Sequence, residues 1–573
     1  MTGAEMIIHA LKQEKVRAVF GYPGGQVLDI FDALYKSDIP FYLTRHEQGA
    51  AHAADGFARA SGEVGVCLAT SGPGATNLVT GLATAHMDSI PVVAITGQVP
   101  TQLIGNDAFQ EVDIVGISRP ITKHNYLVSN INDLPRILKL AFYIARTGRP
   151  GPVLVDIPKD VQRASTTLPY PDKIEIPSYK PTMKGHQPQI VKVAKAIADS
   201  KKTVIYAGGG VISSDASQEL RELAKIINAP VTTTLMGLGI YPETEKNALK
   251  MLGMHGTEYA NYAIQEADLL IAIGARFDDR ITGKVDKFAP NAHIIHIDID
   301  PTSIRKNVEV DIPVVGDIKH VLQELNKIVE PKENKEWLET IYTWKKNHPL
   351  RYKKNGHIKP QYVIEQVAEL TERKAVITTE VGQNQMWTAQ FYNFINPRTF
   401  LSSGGLGTMG YGFPAAIGAQ VACPDKIVID IAGDGSIQMN IQELATAVLY
   451  QIPVKIVILN NHSLGMVRQW QAIFYDRRFS STCLLKNAQC PEHCNQTEES
   501  CPAKYVPNFV KLAEAYGATG LYADKEEQVV PTLKKMLETP GPVIVEFAIE
   551  AEENVYPMVP AGAPLNEMIR GIA

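Results

Sequence analysis

Between Ile427 and His462 the chain reads IVIDIAGDGSIQMNIQELATAVLYQIPVKIVILNNH. An apolar strand run ends in Gly433-Asp434-Gly435, a helical stretch follows, and a second apolar run ends in Asn460-Asn461. Short unbroken apolar runs separated by a helix are what buried neighbours in a parallel sheet require. In such a unit both strand ends lie on the same sheet edge, where ligands collect. Asp434 and Asn461, 27 positions apart, can then offer a carboxylate and an amide oxygen to one hard cation. Magnesium takes such oxygen ligands and completes its shell with phosphate oxygens. The glycines let backbone amides approach that phosphate.

The pattern occurs twice. Leu82-Ala83-Thr84-Ala85 with Ile90-Pro91-Val92 recurs as Leu444-Ala445-Thr446-Ala447 with Ile452-Pro453-Val454, at an offset of 362. The offset also aligns strand, Gly-rich turn and second strand, and it sets Gly72 of TSGPGATN on Asp434, so a duplicated domain is expected. Three blocks of alternating strand and helix signal run through the chain, parted by the Pro-rich stretch TTLPYPDKIEIPSYKPTMKGHQPQ and the charged stretch EPKENKEW. The expectation is an α/β protein of three doubly wound parallel-sheet domains over residues 1–165, 190–330 and 360–549, with a C-terminal tail over 550–573. A net charge of −5 without a long basic run argues against nucleic acid as the main partner. No stretch approaches the roughly 20 apolar residues of a membrane span. The start, TGAEMIIHALKQ, reads as a capping box and helix, so no targeting peptide and a cytoplasmic location are expected.

The GDG…NN spacing resembles the cofactor signature of thiamin diphosphate enzymes. The resemblance implies that the first block binds the aminopyrimidine and the third the diphosphate and Mg2+. In LTRHEQGAAHAADGFARASG it marks Glu47 as the proton relay to the aminopyrimidine, where a helix-start glutamate would otherwise be an ordinary solvated residue. Met409, in SGGLGTMGYG, matches the apolar wedge that bends the cofactor; a lone methionine is more often core filler. Tyr22, Pro73, Asn77, Val381, Gly382, Gln383, Asn384, Gly407, Gly433, Asp434, Gly435, Ser436, Asn461, Gly465 and Met466 match further cofactor contacts. The metal set is Asp434, Asn461 and Ser463, the last through its backbone oxygen. Asn384 stands where related sequences usually carry His, and as a possible phosphate donor it implies weaker or retuned binding.

FGYPGG, TSGPGATN, GNDAFQE, MLGMHGT, IAIGARFDDR, GMVRQWQ and VYPMVPAG together resemble the catalytic large subunits of the acetohydroxyacid (acetolactate) synthase family over nearly the whole chain. The family decarboxylates pyruvate and joins the two-carbon unit to a second 2-keto acid, pyruvate or 2-ketobutyrate, in branched-chain amino-acid biosynthesis. Arg280 matches the cation that holds the acceptor carboxylate, for which a planar guanidinium is suited; a salt bridge to Asp278 or Asp279 could coexist with that role. Trp470 matches the residue favouring the larger acceptor. Gly25, Phe109, Gln110 and Lys159 match pocket residues, with the Gly25 to Gln110 group contributed by the neighbouring subunit. The middle block resembles the family's FAD-binding domain, through Gly208, Gly209, Gly210, Thr234, Leu235, Met254, His255, Gly274, Arg276, Asp278, Arg280, Asp298 and Asp317. The flavin there is structural. A homodimer or tetramer and a small regulatory subunit are implied partners.

The alternative within the superfamily is a flavin-dependent pyruvate oxidase, against which Arg280, Lys159 and Trp470 speak together. Glu47 speaks against a glyoxylate carboligase, and the full set of mechanistic groups against a silent scaffold. Cys67 and Cys423 read as core residues. Cys483, Cys490, Cys494 and Cys501, with His493, crowd into an inserted segment; metal, disulfide and plain thiols all stay open. The tail ENVYPMVPAGAPLNEM is expected, by resemblance, to fold over the site when cofactor is bound.

Overall fold

The computed structural model describes residues 1–485 and 507–571. Cys490, Cys494, Cys501 and His493 lie outside the described residues, whereas Cys67 is buried and Cys423 and Cys483 are half-buried. Among the described residues no helix is long and apolar enough to cross a membrane. The predicted capping box opens the first helix, Gly3–Gln13: Glu5 N–H donates to Thr2 Oγ1 at 3.2 Å and Thr2 N–H to Glu5 Oε2 at 2.8 Å.

Among the described residues three six-stranded sheets form, and every strand pair in them is parallel. The first holds β1 (Val19–Gly21), β2 (Phe41–Leu43), β3 (Gly65–Ala69), β4 (Val92–Gln98), β5 (His124–Leu127) and β6 (Val153–Pro158). The second holds β7 (Thr203–Ala207), β8 (Val231–Thr233), β9 (Ala248–Met251), β10 (Leu269–Ile273), β11 (His293–Asp298) and β12 (Ile312–Val315). The third holds β13 (Val376–Thr379), β14 (Phe400–Leu401), β15 (Val428–Gly433), β16 (Lys455–Asn460), β17 (Thr519–Ala523) and β18 (Val543–Ala548). The first runs β2-β1-β3-β4-β6-β5 and the third β14-β13-β15-β16-β18-β17, which is one topology used twice. The second, β9-β8-β7-β10-β11-β12, has the strand order of dinucleotide-binding sheets, with its reversal between β7 and β10.

The duplicated domains pack through equivalent helices, Glu47–Ser61 and Gly412–Ala422. Both are rich in Ala and Gly, and their backbones come very close. A Cβ on Gly56 would sit 2.1 Å from Ala415 O, and one on Gly418 would sit 1.8 Å from Ala53 O. A single apolar core therefore runs across both domains, including Phe20 and Phe57 from one and Phe413, Ile417 and Phe509 from the other.

A buried ionic network reinforces this contact. Arg59 Nε donates to Asp55 Oδ1 at 2.6 Å, its NH2 group to Asp88 Oδ2 at 2.9 Å, and its NH1 group to Ser402 O at 2.8 Å. Tyr411 Oη donates to Asp55 Oδ1 at 2.6 Å. Asp88 in turn accepts from Gly404 and Gly405 N–H at 3.1 and 2.7 Å. Removing the cation would strand two buried carboxylates, so Arg59→Ala is expected to destabilise the chain by about 3–5 kcal/mol. Urea unfolding of the variant measures this; an unchanged midpoint would mean the network contributes nothing net.

Candidate active site

The predicted residues gather at the carboxyl ends of the parallel strands, in two clusters. The first belongs to the N-terminal sheet. Glu47 opens its helix and is 9% exposed. Asn77 Nδ2 donates to Glu47 Oε2 at 2.9 Å, fixing the carboxylate from the turn after β3. Tyr22 and Gly25 follow β1, and Pro73 opens the short helix Pro73–Asn77. Lys159, just beyond β6, donates from Nζ to Gly25 O at 2.7 Å. Gln110 is half-buried and Phe109 is 84% exposed. Their loop is pinned by Glu111, whose carboxylate accepts from Gly105 N–H and, at 3.0 Å, from Ala108 N–H.

The second cluster belongs to the C-terminal sheet. Gly433 pairs with Leu459 in register, so Asp434 and Asn461 emerge side by side from β15 and β16. Asp434, Ser436, Asn461 and Ser463 are buried, and Ser463 N–H donates to Asn461 Oδ1 at 3.2 Å. Val381 and Gly382 follow β13, and the helix Gln383–Phe391 starts near the Gly433–Ser436 turn, a Cβ on Gly433 coming 3.4 Å from Asn384 Oδ1; the first N–H groups of a helix suit an anion. Gly407 and Met409 follow β14, with Met409 half-buried. Gly465 and Met466 open the helix Gly465–Phe474 that carries Trp470. Among the described residues no group of three or more His, Cys, Asp or Glu could hold a metal. A cation at Asp434 would draw on that carboxylate, on amide and backbone oxygens and on phosphate, an all-oxygen set that suits Mg2+.

Two amides that the sequence assigns to phosphate are committed to the protein. Asn384 Nδ2 donates to Glu380 O at 3.1 Å and to Ile431 O at 2.8 Å, tying the ends of β13 and β15 together. Gln383 Nε2 donates to Gln469 Oε1 at 2.9 Å and to Glu553 O at 3.0 Å, while its Oε1 accepts from Asn461 Nδ2 at 3.0 Å. What these residues leave for phosphate is the backbone N–H at the helix start. Gln383 also links Asn461 to the tail, which lies over this edge: Glu553 meets Lys359 at 2.5 Å, and Val555 N–H donates to Gln469 Oε1 at 2.8 Å.

Several buried groups around the site carry no signature in the sequence. Glu380 accepts from Gly410 N–H at 2.6 Å and from Phe413 N–H at 3.1 Å, so it fixes the turn after Met409. Burial pushes the Glu380 carboxyl up to about 7. Burial, and then the neighbouring Glu380, also hold Asp430 well above the carboxylate range, so the pair is suited to sharing a proton. Arg468, also buried, donates to Glu553 O at 2.9 Å and to Asn554 Oδ1 at 2.7 Å.

Arg280 is more than half exposed and meets Asp279 at only 3.8 Å, while Asp278 accepts from Arg280 N–H at 3.1 Å. Its guanidinium lies 3.8 Å from Met254 Sδ. Trp470 is half-buried, with its enclosed Nε1 bonded to no described group. In the central domain Gly208 and Gly210 are required by packing: a Cβ on either would come within 2.2 Å of Gly274 O or 2.7 Å of Gly274 Cα, respectively. Gly209 faces Met236 instead. Asp317 caps the helix Ile318–Asn326 and accepts from Ser214 Oγ at 2.6 Å, and Asp298 accepts from Asp300 N–H at 2.9 Å. Thr234, Leu235 and Arg276 are half-buried, Met254 is buried, and burial pushes the His255 imidazole down to about 4, so it is neutral.

Comparison with known proteins agrees with this layout. Residues 1–117 match the N-terminal TPP binding domain of thiamine pyrophosphate enzymes, residues 190–325 their central domain, and residues 380–547 their C-terminal TPP binding domain. The probable acetolactate synthase large subunit of Methanocaldococcus jannaschii is 52% identical, over 100% of this chain and 96% of its own length. The acetolactate synthase large subunit of Buchnera aphidicola is 50% identical, over 99% and 98%. The acetolactate synthase isozyme 3 large subunit of Escherichia coli is 47% identical, over 99% and 98%. With three matching domains and relatives this similar from end to end, the chain belongs to the acetolactate synthase large-subunit family of thiamine pyrophosphate enzymes.

Proposed function

We propose that the chain is the catalytic subunit of an acetolactate synthase, joining the two-carbon unit of pyruvate to a second 2-keto acid. The observation that carries this reading is the presence of two complementary edges in domains of one topology. One edge holds a buried carboxylate fixed by an amide, Glu47 with Asn77. The other holds an oxygen-only cradle at Asp434 and Asn461. When bound, thiamin diphosphate supplies the carbon nucleophile that attacks the keto acid and releases CO2. Glu47 would exchange a proton with the aminopyrimidine nitrogen, in the orientation Asn77 imposes. Met409 would press against the cofactor and keep it bent. Asp434, Asn461 and the Ser463 carbonyl would hold Mg2+, and the backbone N–H groups of Gly382, Gln383, Gly435 and Ser436 would face the diphosphate.

Among the described residues the only acidic group that the Arg280 side chain meets is Asp279, at 3.8 Å, which would leave its guanidinium available for the acceptor carboxylate. The Trp470 ring would favour 2-ketobutyrate over pyruvate as acceptor. Glu47 and Asp434 stand in separate clusters of one chain, so the complete site would pair the first cluster of one copy with the second cluster of another. Gly25, Phe109, Gln110 and Lys159 would then line the pocket from across a homodimer interface, and 84% exposure of Phe109 fits a surface awaiting that partner. FAD would sit in the central domain at the reversal between β7 and β10 and take no part in the net reaction. The relatives' names as large subunits support a small regulatory subunit, and a cytoplasmic location accords with the substrates.

Incubation with pyruvate, thiamin diphosphate, Mg2+ and FAD without oxygen tests the reading. Acetolactate, seen as acetoin after acid treatment, is expected. Acetaldehyde as the main product would overturn it, and acetate formed with oxygen uptake in a parallel aerobic incubation would favour the pyruvate-oxidase alternative.

A further inference from the structure

The repeated helix braces the opposite domain in both of its copies. In the C-terminal copy Glu443, Thr446 and Tyr450 share one face, and all three reach the segment that leads into Glu47. Glu443 Oε1 and Oε2 accept from Arg45 N–H at 2.9 and 3.1 Å. Thr446 Oγ1 donates to Glu443 Oε2 at 2.7 Å and lies 3.2 Å from Leu43 O. Tyr450 Oη accepts from Leu43 N–H at 2.9 Å. At the offset of 362, the N-terminal copy sets Thr84 on Thr446 and Asp88 on Tyr450. Those residues reach the segment that leads into Met409: Thr84 Oγ1 meets Thr408 Oγ1 at 2.8 Å, and Asp88 holds Gly404 and Gly405 N–H. The same offset sets Glu47 on Met409. Two duplicated positions, both assigned to the cofactor under the proposed function, are thus each placed by the other domain.

Glu443 is the strongest element of its brace. It is 0% exposed, and a carboxylate this deep persists only if its oxygens are satisfied. Its partners are the Thr446 hydroxyl and backbone N–H groups just ahead of the Glu47 helix, which the helix itself cannot satisfy. A Cβ on Gly49 would come within 2.5 Å of Glu443 Oε1, so the carboxylate also lies against the first turn of that helix.

We propose that Glu443 is a positioning residue for Glu47: from the domain that carries the cation and diphosphate loop, it sets where the Glu47 helix begins. The inference rests on the relay reading of Glu47. Three measurements on Glu443→Gln and Glu443→Ala test it. They are amide hydrogen exchange over residues 43–50 without added cofactor, thermal unfolding, and exchange of the C2 proton of bound thiamin diphosphate for deuterium.

Glu443→Ala is expected to speed amide exchange over 43–50 and to slow C2-proton exchange by about tenfold each, the scale of one lost buried hydrogen bond. Protection elsewhere should be unchanged. Glu443→Gln keeps an acceptor for Arg45 N–H and should retain most of both properties. With Glu47→Gln present, Glu443→Ala should slow C2-proton exchange no further, because the two act through one group. Unchanged protection over 43–50, or an equal additional slowing in the Glu47→Gln background, would overturn the proposal. If Glu443→Ala does not fold, Glu443→Asp, whose shorter side chain draws the acceptor back, carries the same comparison. Should Glu47→Gln alone leave C2-proton exchange at the wild-type rate, the relay reading fails instead, and that result is separate from any effect at Glu443.

Discussion

Gly418→Val is expected to disrupt the contact between the two duplicated domains and to cause a large loss of stability. Even the first carbon of a side chain at this position would lie 1.8 Å from Ala53 O, 2.7 Å from Ala53 C and 2.9 Å from Phe57 N. All three atoms are backbone within the Glu47–Ser61 helix, so no rotamer change can relieve the clash. Relief requires the helices to separate, and separation opens the core shared by Phe57, Phe413 and Ile417. Overpacking of a tight core costs about 1–3 kcal/mol and occasionally more, and the expected loss here is at or above the upper end. Gly151→Ala is the control, because its Cβ would meet only Lys123 at 3.5 Å. Urea unfolding of the two variants should separate them clearly. A Gly418→Val midpoint equal to that of Gly151→Ala would show that the helices move apart at little cost. The same helix begins at Glu47, so a folded Gly418 variant should also lose turnover.

The features legible in the sequence are those encoded locally or by repetition. Apolar runs such as IVIDIA and VKIVIL specify buried parallel strands because alternation is lost when both sheet faces are covered. The GDG and NN turns place themselves at the strand ends, and the offset of 362 anticipates the shared strand order of the outer sheets. Pairings across hundreds of residues leave no comparable trace. Asp88 looks like an ordinary helix-end aspartate until Arg59 and the Gly404-Gly405 backbone converge on it. Glu443 sits where a helix-start glutamate is commonplace, and only the fold brings Arg45 to it. Glu380 and Asp430 are invisible for the same reason.

Where the local reading was too simple, one residue had two possible employers. Gly208 and Gly210 suit a phosphate loop, yet close backbone packing against Gly274 already demands them. Asn384 and Gln383 have the donors a phosphate needs, but backbone carbonyls at the strand ends and in the tail, and the Gln469 amide, take them first. A hint was available for Gln383: Asn461 and Gln469 are amides close to it in kind and close to one another in sequence, and buried amides tend to satisfy each other.

Glu47→Gln is expected to reduce turnover by about 10²–10⁴, the range that general acid–base groups contribute, while leaving thiamin diphosphate affinity close to that of the unaltered protein. Gln has nearly the shape of Glu, and its carbonyl oxygen can still accept from Asn77 Nδ2, which now holds Glu47 Oε2 at 2.9 Å. The substitution therefore preserves the helix start and the pocket but removes the group able to take and return a proton. Under the proposed function, cofactor affinity would depend mainly on the second cluster, where Asp434 and Asn461 stand beside the Gly433–Ser436 turn. Calorimetric titration with thiamin diphosphate and Mg2+, alongside acetolactate formation from pyruvate, separates the two quantities. A large fall in affinity with little change in turnover at saturation would make Glu47 a binding group. Unchanged turnover would remove it from the relay altogether. Loss of turnover at retained affinity is the outcome that a buried carboxylate held in one orientation by one amide is built to give.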